Sequence, residues 1–161
     1  MIDLGDTTMT REEIDAYLRE EGRFAALASV RRDGCPFVIP MGYYYDGEHL
    51  HFSTTPRRGL TARVRREPRV SVAVFDHEPI HGYVLVNGVA EEVADPGDVL
   101  SMAMHRRYPK PGITDQEAHD RLWLSPGRVV FRVPTAEAFG MDQRKASSTD
   151  SLALPDRGAR R

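Results

Sequence analysis

Val70, Val72 and Val74 fall on every second position of residues 69–75, the period of a strand with one buried face. Runs of similar β character occupy residues 24–30, 35–41, 48–53, 82–93 and 127–133, with a further extended piece through Phe139. Asp33-Gly34 and Asp46-Gly47 join consecutive runs, and such dipeptides favour tight hairpins, so the first half reads as an antiparallel meander. Pro36 and Pro40 each remove a ladder donor, which bends the second strand or places it at an edge. Gly88, inside a long β-branched run, marks a bulge or a close backbone approach.

Helical patterning occupies the gaps. Thr10 reads as an N-cap, Glu13 completes a capping box, Met9 and Ile14 form a hydrophobic staple, and the helix ends near Gly22. Pro56 suits the first turn of a second helix, on which Leu60 and Val64 share the core-facing side. Residues 96–108 and 115–124 predict two more. Six short strands without a regular strand-helix-strand rhythm fit a small closed antiparallel barrel with peripheral helices, and there is no internal repeat.

Composition narrows the class. A chain of 161 residues fits one domain and can bury about two-thirds of its unfolded surface. We expect an arm at residues 1–8, the barrel at 9–144 and a flexible tail at 145–161, where the chain turns polar, small and basic. With 22 basic against 24 acidic residues the net charge is −2, so no global field favours nucleic acid. Cys35 is the single cysteine, which excludes an internal disulfide and agrees with a reducing compartment. The first residues lack a basic, then apolar, leader, and no run approaches the ~18 apolar residues of a membrane span. The expectation is a soluble, cytoplasmic protein.

Candidate chemistry concentrates at the end of the third strand. Leu50, His51 and Phe52 lead into Ser53, Thr54 and Thr55, then Pro56, Arg57 and Arg58, with Arg63, Arg65 and Arg66 following. Hydroxyls before a helix start, where amides lack partners and the dipole favours negative charge, suit an anion. Guanidinium forks match phosphate geometry. The competing explanation is a polar loop with solvated arginines. Position separates the charges: Arg57 and Arg58 fall in a first turn, where cations are disfavoured unless an anion is present, whereas Arg65 and Arg66 fall in the last turn and read as structural. A phosphorylated small molecule is the natural ligand.

These residues belong to a wider pattern. Ala26-Leu27-Ala28-Ser29-Val30, Asp33-Gly34, Pro36, the strand ending Phe52-Ser53-Thr54-Thr55, Arg58, then Arg65-Arg66-Glu67-Pro68-Arg69-Val70, and Val86, Gly88 and Ala90 together resemble the pyridoxamine 5′-phosphate oxidase-like flavin-binding split barrels. The spelling is most similar to the actinobacterial branch called coenzyme F420-dependent. The resemblance spans roughly residues 10 to 135. It implies a six-stranded antiparallel split barrel, homodimeric, with two cofactor sites at the subunit interface and FMN or coenzyme F420 as cofactor. It assigns Ser53, Thr54, Thr55 and Arg58 to the phosphate and ribityl chain, with Arg63 also reaching the cofactor. Ile39, Pro40 and Met41 match the bent strand that meets the ring edge. Where many relatives carry a lysine this chain has Leu60, on the core side of the helix, so Arg57 or Arg63 is the candidate replacement cation.

Other groups carry less. His49 and His51 share a strand face and His77 and His81 lie near Pro79, but no recognised ligand spacing is completed and no metal is expected. Tyr43, Tyr44 and Tyr45 read as packing aromatics, Trp123 as dimer packing rather than a cleft cap, and residues 105–108 as a helix end satisfied by its cations. No Ser-His-Asp order, P-loop or Rossmann fingerprint is present, and no catalytic side chain is assigned. The function expected is a flavin- or deazaflavin-dependent oxidoreductase acting on a small unsaturated or carbonyl-containing substrate. The alternative is a non-catalytic flavin, deazaflavin or heme binding or carrier protein.

Overall fold

A computed structural model describes residues 7–76 and 81–145. The expectations for the first six residues, for His77 and Pro79, and for the tail beyond Lys145 lie outside the described residues.

The strands are β1 (Phe24–Val30), β2 (Pro36–Met41), β3 (Tyr44–Tyr45), β4 (His49–Thr54), β5 (Arg69–Phe75), β6 (Gly82–Val89), β7 (Glu91–Val93), β8 (Val129–Pro134) and β9 (Phe139–Asp142). They form two antiparallel sheets, ordered β2-β1-β5-β6-β9 and β3-β4-β8-β7. The six-strand expectation is therefore corrected to nine among the described residues. The extra ones are short: the chain leaves the first sheet at Gly42, the 82–93 run divides at Ala90, and the piece at Phe139 pairs with β6. The expected meander is likewise two separate hairpins, β1–β2 through Asp33-Gly34 and β3–β4 through Asp46-Gly47, one in each sheet.

Inward-pointing residues of both sheets make one core. Val72, Val74, Val84 and Val86 come from the first sheet and Leu50, Phe52, Phe131 and Val133 from the second. Their alternation with exposed residues on β5 and β6 is the period seen in the sequence. Gly88 is a close approach: a Cβ there would lie 3.0 Å from Val133 Cγ1. The prolines place β2 at the edge of its sheet, as expected.

Among the described residues four α-helices pack around this core. In α1 (Arg11–Arg19) the capping box forms between Thr10 and Glu13, and Met9 and Ile14 converge on Gly140. The remaining three are α2 (Gly59–Arg66), α3 (Val99–Arg107) and α4 (Gln116–Leu124). Asp95 fixes the start of α3 by accepting the Leu100 and Ser101 N–H groups, each at 2.8 Å. At its other end the expected self-satisfaction is replaced: Arg107 donates to carbonyls of Leu18, Arg19 and Glu20, closing the C-terminus of α1 instead. Tyr43 and Tyr45 are buried, their hydroxyls bonded to the Leu18 carbonyl and Asp15 respectively. Among the described residues no helix is long and apolar enough to cross a membrane.

Candidate functional site

β4 carries Ser53 and Thr54 to the rim of the barrel, and the chain then turns before α2 starts. Thr55 offers its carbonyl to the Arg58 N–H at 3.1 Å and to the Thr61 hydroxyl at 2.8 Å, which closes a turn over Pro56 and Arg57. Arg58 is extended and serves as the N-cap, so the helix starts at Gly59. This corrects the expected first turn at Pro56. The charge argument survives in altered form: no acidic residue occupies the first turn of α2, and its N-cap has no side-chain hydrogen bond.

A groove of about 430 Å³ opens beside this turn. Ile39, Pro40 and Met41 of β2 line it on one side, and Ser53 and Thr54 of β4 with the following Thr55 line its floor. Arg58, Leu60 and Arg63 border it from the turn and α2. Arg57, exposed, is not among its lining residues. The structure thus gathers the other eight candidate residues around one space. Arg63 is already engaged, donating from Nε to Ser29 Oγ at 3.0 Å with its guanidinium 4.2 Å from the Phe37 ring centroid. Leu60 is buried as the helical face required, and contributes no cation.

Arg128 and Trp123 also line this groove and were not picked out as cofactor contacts. Arg128, just before β8, donates from Nε to Ser53 Oγ at 2.8 Å and lies 3.9 Å over the ring of Trp123. Burial and the nearby Arg58 depress its proton affinity, with Asp98 opposing them. Among the described residues neither Arg58 nor Arg128 forms an ion pair. Arg65 makes a bidentate pair with Glu92, and Arg66 bonds the Val30 carbonyl, so the last-turn arginines are structural. The only sequence signal for Arg128 was a lone cation at a strand start, which nothing local distinguishes from a solvated one.

A second, largely apolar cavity of about 410 Å³ adjoins the first. Phe24, Met104, Tyr108, Pro109 and Pro111 wall it, and Pro40, Met41, Ser53 and Trp123 line both spaces. Trp123, expected to serve dimer packing, therefore stands where a polar groove meets an apolar one. Gly42 admits this wall: a Cβ there would lie 2.5 Å from Tyr108 Cε2. Tyr108 is held by its hydroxyl, which accepts the Tyr43 N–H at 2.9 Å and donates to the Arg23 carbonyl at 2.8 Å.

The sequence profile described as pyridoxamine 5′-phosphate oxidase matches residues 10–140. The chain belongs to the pyridoxamine 5′-phosphate oxidase-like split-barrel family. The match takes in both cavities and every residue that lines them. Solved structures with similar folds include a conserved hypothetical protein from Mycobacterium tuberculosis, 25% identical, covering 98% of this chain and 96% of that one, with a TM-score of 0.69. An F420 reductase is 33% identical over 74% of this chain and 91% of its own, with a TM-score of 0.60. A FAD-binding protein from Mesorhizobium loti is 29% identical over 83% and 94%, with a TM-score of 0.58. No curated protein sequence matches the chain.

Proposed function

We propose that this chain is an oxidoreductase that binds coenzyme F420 or FMN in the polar groove and acts on a small unsaturated or carbonyl-containing acceptor in the apolar cavity. The observation that carries this is the pair Arg58 and Arg128, two cations in mutual repulsion beside the hydroxyls of Ser53, Thr54 and Thr55, with no ion pair of their own among the described residues. A phosphate on the cofactor's side chain relieves that repulsion and accepts from hydroxyls and guanidiniums together. Arg128 also answers the question raised by Leu60: the second cation comes from across the groove rather than from α2. The similarity to an F420 reductase and to a FAD-binding protein supports the same cofactor class.

When bound, such a ring supplies the hydride. The chain supplies placement. β2 is an edge strand, so main-chain groups on its outer side lack a strand partner and are available to a heteroaromatic rim. Pro40, Met41 and Trp123 close the junction of the two spaces, excluding water and positioning an apolar acceptor beside the ring. A carrier would have no need of the second cavity, which is why we place catalysis above storage.

We further propose that the protein works as a homodimer in the cytoplasm. The outer face of the first sheet presents Val38, Leu85, Val89 and Phe139, 57%, 37%, 52% and 45% exposed, around the small Ala26, Ala28 and Ala73.

Titration of the purified protein with FMN and with coenzyme F420, monitored by ring fluorescence, tests the cofactor assignment. Arg128→Met and Arg58→Ala should each weaken binding by about tenfold to a hundredfold, the range for one charge-assisted hydrogen bond of ~1.5–3 kcal/mol. Affinity unchanged in both variants rules out this groove. Turnover with a panel of enones and quinones then separates the readings, since binding without oxidation of reduced cofactor above background favours a carrier.

A further inference from the structure

We infer that His105, His119 and Asp120 form a binding site for one divalent late transition-metal ion at the contact of α3 with α4. One nitrogen of each imidazole and one carboxylate oxygen lie within 4.8 Å of one another. His105 Nε2 and Asp120 Oδ1 are already 3.1 Å apart. That separation matches neighbouring ligands in a tetrahedral site, which stand about 3.3 Å apart when each bond is ~2.0–2.1 Å.

The decisive feature is what these groups lack. His119 Nδ1 is buried and has no hydrogen-bond partner among the described residues, while buried His105 Nε2 faces the Asp120 carboxylate at 3.1 Å without hydrogen-bond geometry. A buried ring nitrogen left unpaired is costly, and two poorly satisfied ones in adjacent, tilted rings 4.6 Å apart call for a shared partner. His105 is 7% exposed, so its ring is held in place against α4. Asp120 is steadied from outside by Gln116, whose Nε2 donates to Oδ1 at 2.7 Å, the arrangement that orients a ligating carboxylate. Arg106 competes for the other oxygen at 3.6 Å, but its side chain is 69% exposed and free to leave. Two imidazoles and a carboxylate suit Zn²⁺, Co²⁺ or Ni²⁺, with a further position for water.

A second His-Asp cluster provides the contrast. Asp46, His49 and His51 also converge, but there the carboxylate is consumed: Oδ2 bonds His51 Nε2 at 2.7 Å, and Oδ1 accepts the Glu48 and His49 N–H groups at 2.8 and 2.7 Å. That cluster is a closed turn, in which the nitrogen meeting the carboxylate is bonded and the unpaired one, His51 Nδ1, is on the other side of the ring. The absence of an expected metal site in the sequence follows from position, since one ligand lies on α3 and two on α4, too far apart along the chain to spell a motif.

Co²⁺ alone is the probe, added to the full-length, tag-free protein. Trp123 is the single tryptophan and stacks on His105 at 4.8 Å, so it reports directly on that ring. The expected result is one Co²⁺ per chain, with the visible absorption of four- or five-coordinate Co²⁺ and quenching of Trp123, both reversed by EDTA. His119→Gln and Asp120→Asn, which are less buried than His105 and whose folding is checked by circular dichroism, should each weaken Co²⁺ binding by about tenfold or more. His49→Gln should bind as wild type. No saturable band, or an affinity unchanged in His119→Gln and Asp120→Asn, or a loss in His49→Gln, would overturn the assignment. None of these readings requires the redox cofactor, so the outcome is independent of the proposed activity.

Discussion

Holding Arg128 in place should cost the cofactor-free protein stability. Its guanidinium is half-buried, faces Arg58 and is compensated by a serine hydroxyl, a tryptophan face and the more distant Asp98. Replacing a buried cation that lacks an ion pair with an apolar side chain of similar length is often neutral or stabilising. Arg128→Met should therefore raise, or leave unchanged, the melting temperature without cofactor while reducing the stabilisation gained on adding cofactor. Ser53→Ala should act in the opposite sense on the empty protein. It leaves the Arg128 Nε donor without its acceptor and removes the 3.3 Å contact with Ser101 Oγ, a cost of about 1–3 kcal/mol. Thermal melts of both variants, with and without added FMN or coenzyme F420, separate the two signs. A fall in melting temperature for Arg128→Met without cofactor would make the residue a structural strut rather than an anion receptor.

At the scale of elements, the Asp46 turn that starts β4 is the best defined electrostatic unit. Burial alone would raise the Asp46 carboxyl, but hydrogen bonds from His51 and from the Glu48 and His49 N–H groups outweigh it and hold the group at about 2 against an ordinary 3.8. A depressed carboxyl contributes stability that is complete above its unfolded value and is lost as pH falls through its folded one. Wild-type stability should thus drop more steeply than that of Asp46→Asn between pH 3.8 and about 2, measured by urea unfolding at stepped pH. Equal slopes would show that the turn does not titrate as a unit. Elements of this kind were legible because their signals are local: the Asp-Gly turns, the capping box at Thr10, the β5 alternation and the Leu60–Val64 stripe all involve neighbours in sequence. The start of α2 was misplaced because a side chain six residues away, the Thr61 hydroxyl, takes the Thr55 carbonyl and helps close a turn over Pro56. Arg128 stayed hidden for the same reason at longer range, since only the pairing of β4 with β8 brings it against Ser53.

For the whole molecule the open question is what the outer face of the five-stranded sheet meets. β2 sends Phe37, Ile39 and Met41 toward the groove and Val38 to the outer face, while Pro40 on that same face also lines the groove. A second copy seated on the face would therefore stand at the mouth of the proposed cofactor groove and add a wall to it. Assembly and binding are then coupled, and each should strengthen the other by the same factor. Leu85→Glu with Phe139→Glu places two carboxylates at paired positions of β6 and β9, at the β9 end of the apolar patch. Light scattering after size exclusion should show a dimer for wild type and a monomer for the double variant, both with the same circular dichroism. The monomer should bind FMN or coenzyme F420 more weakly than the dimer, although no residue lining the groove has been changed. Arg65→Ala, which breaks only an exposed pair with Glu92, serves as the control and should leave both assembly and affinity unaltered. A wild-type monomer, or a double variant that still dimerises, would reject this face as the contact. A monomeric variant with undiminished affinity would keep the dimer but confine the cofactor to a groove built by one chain alone.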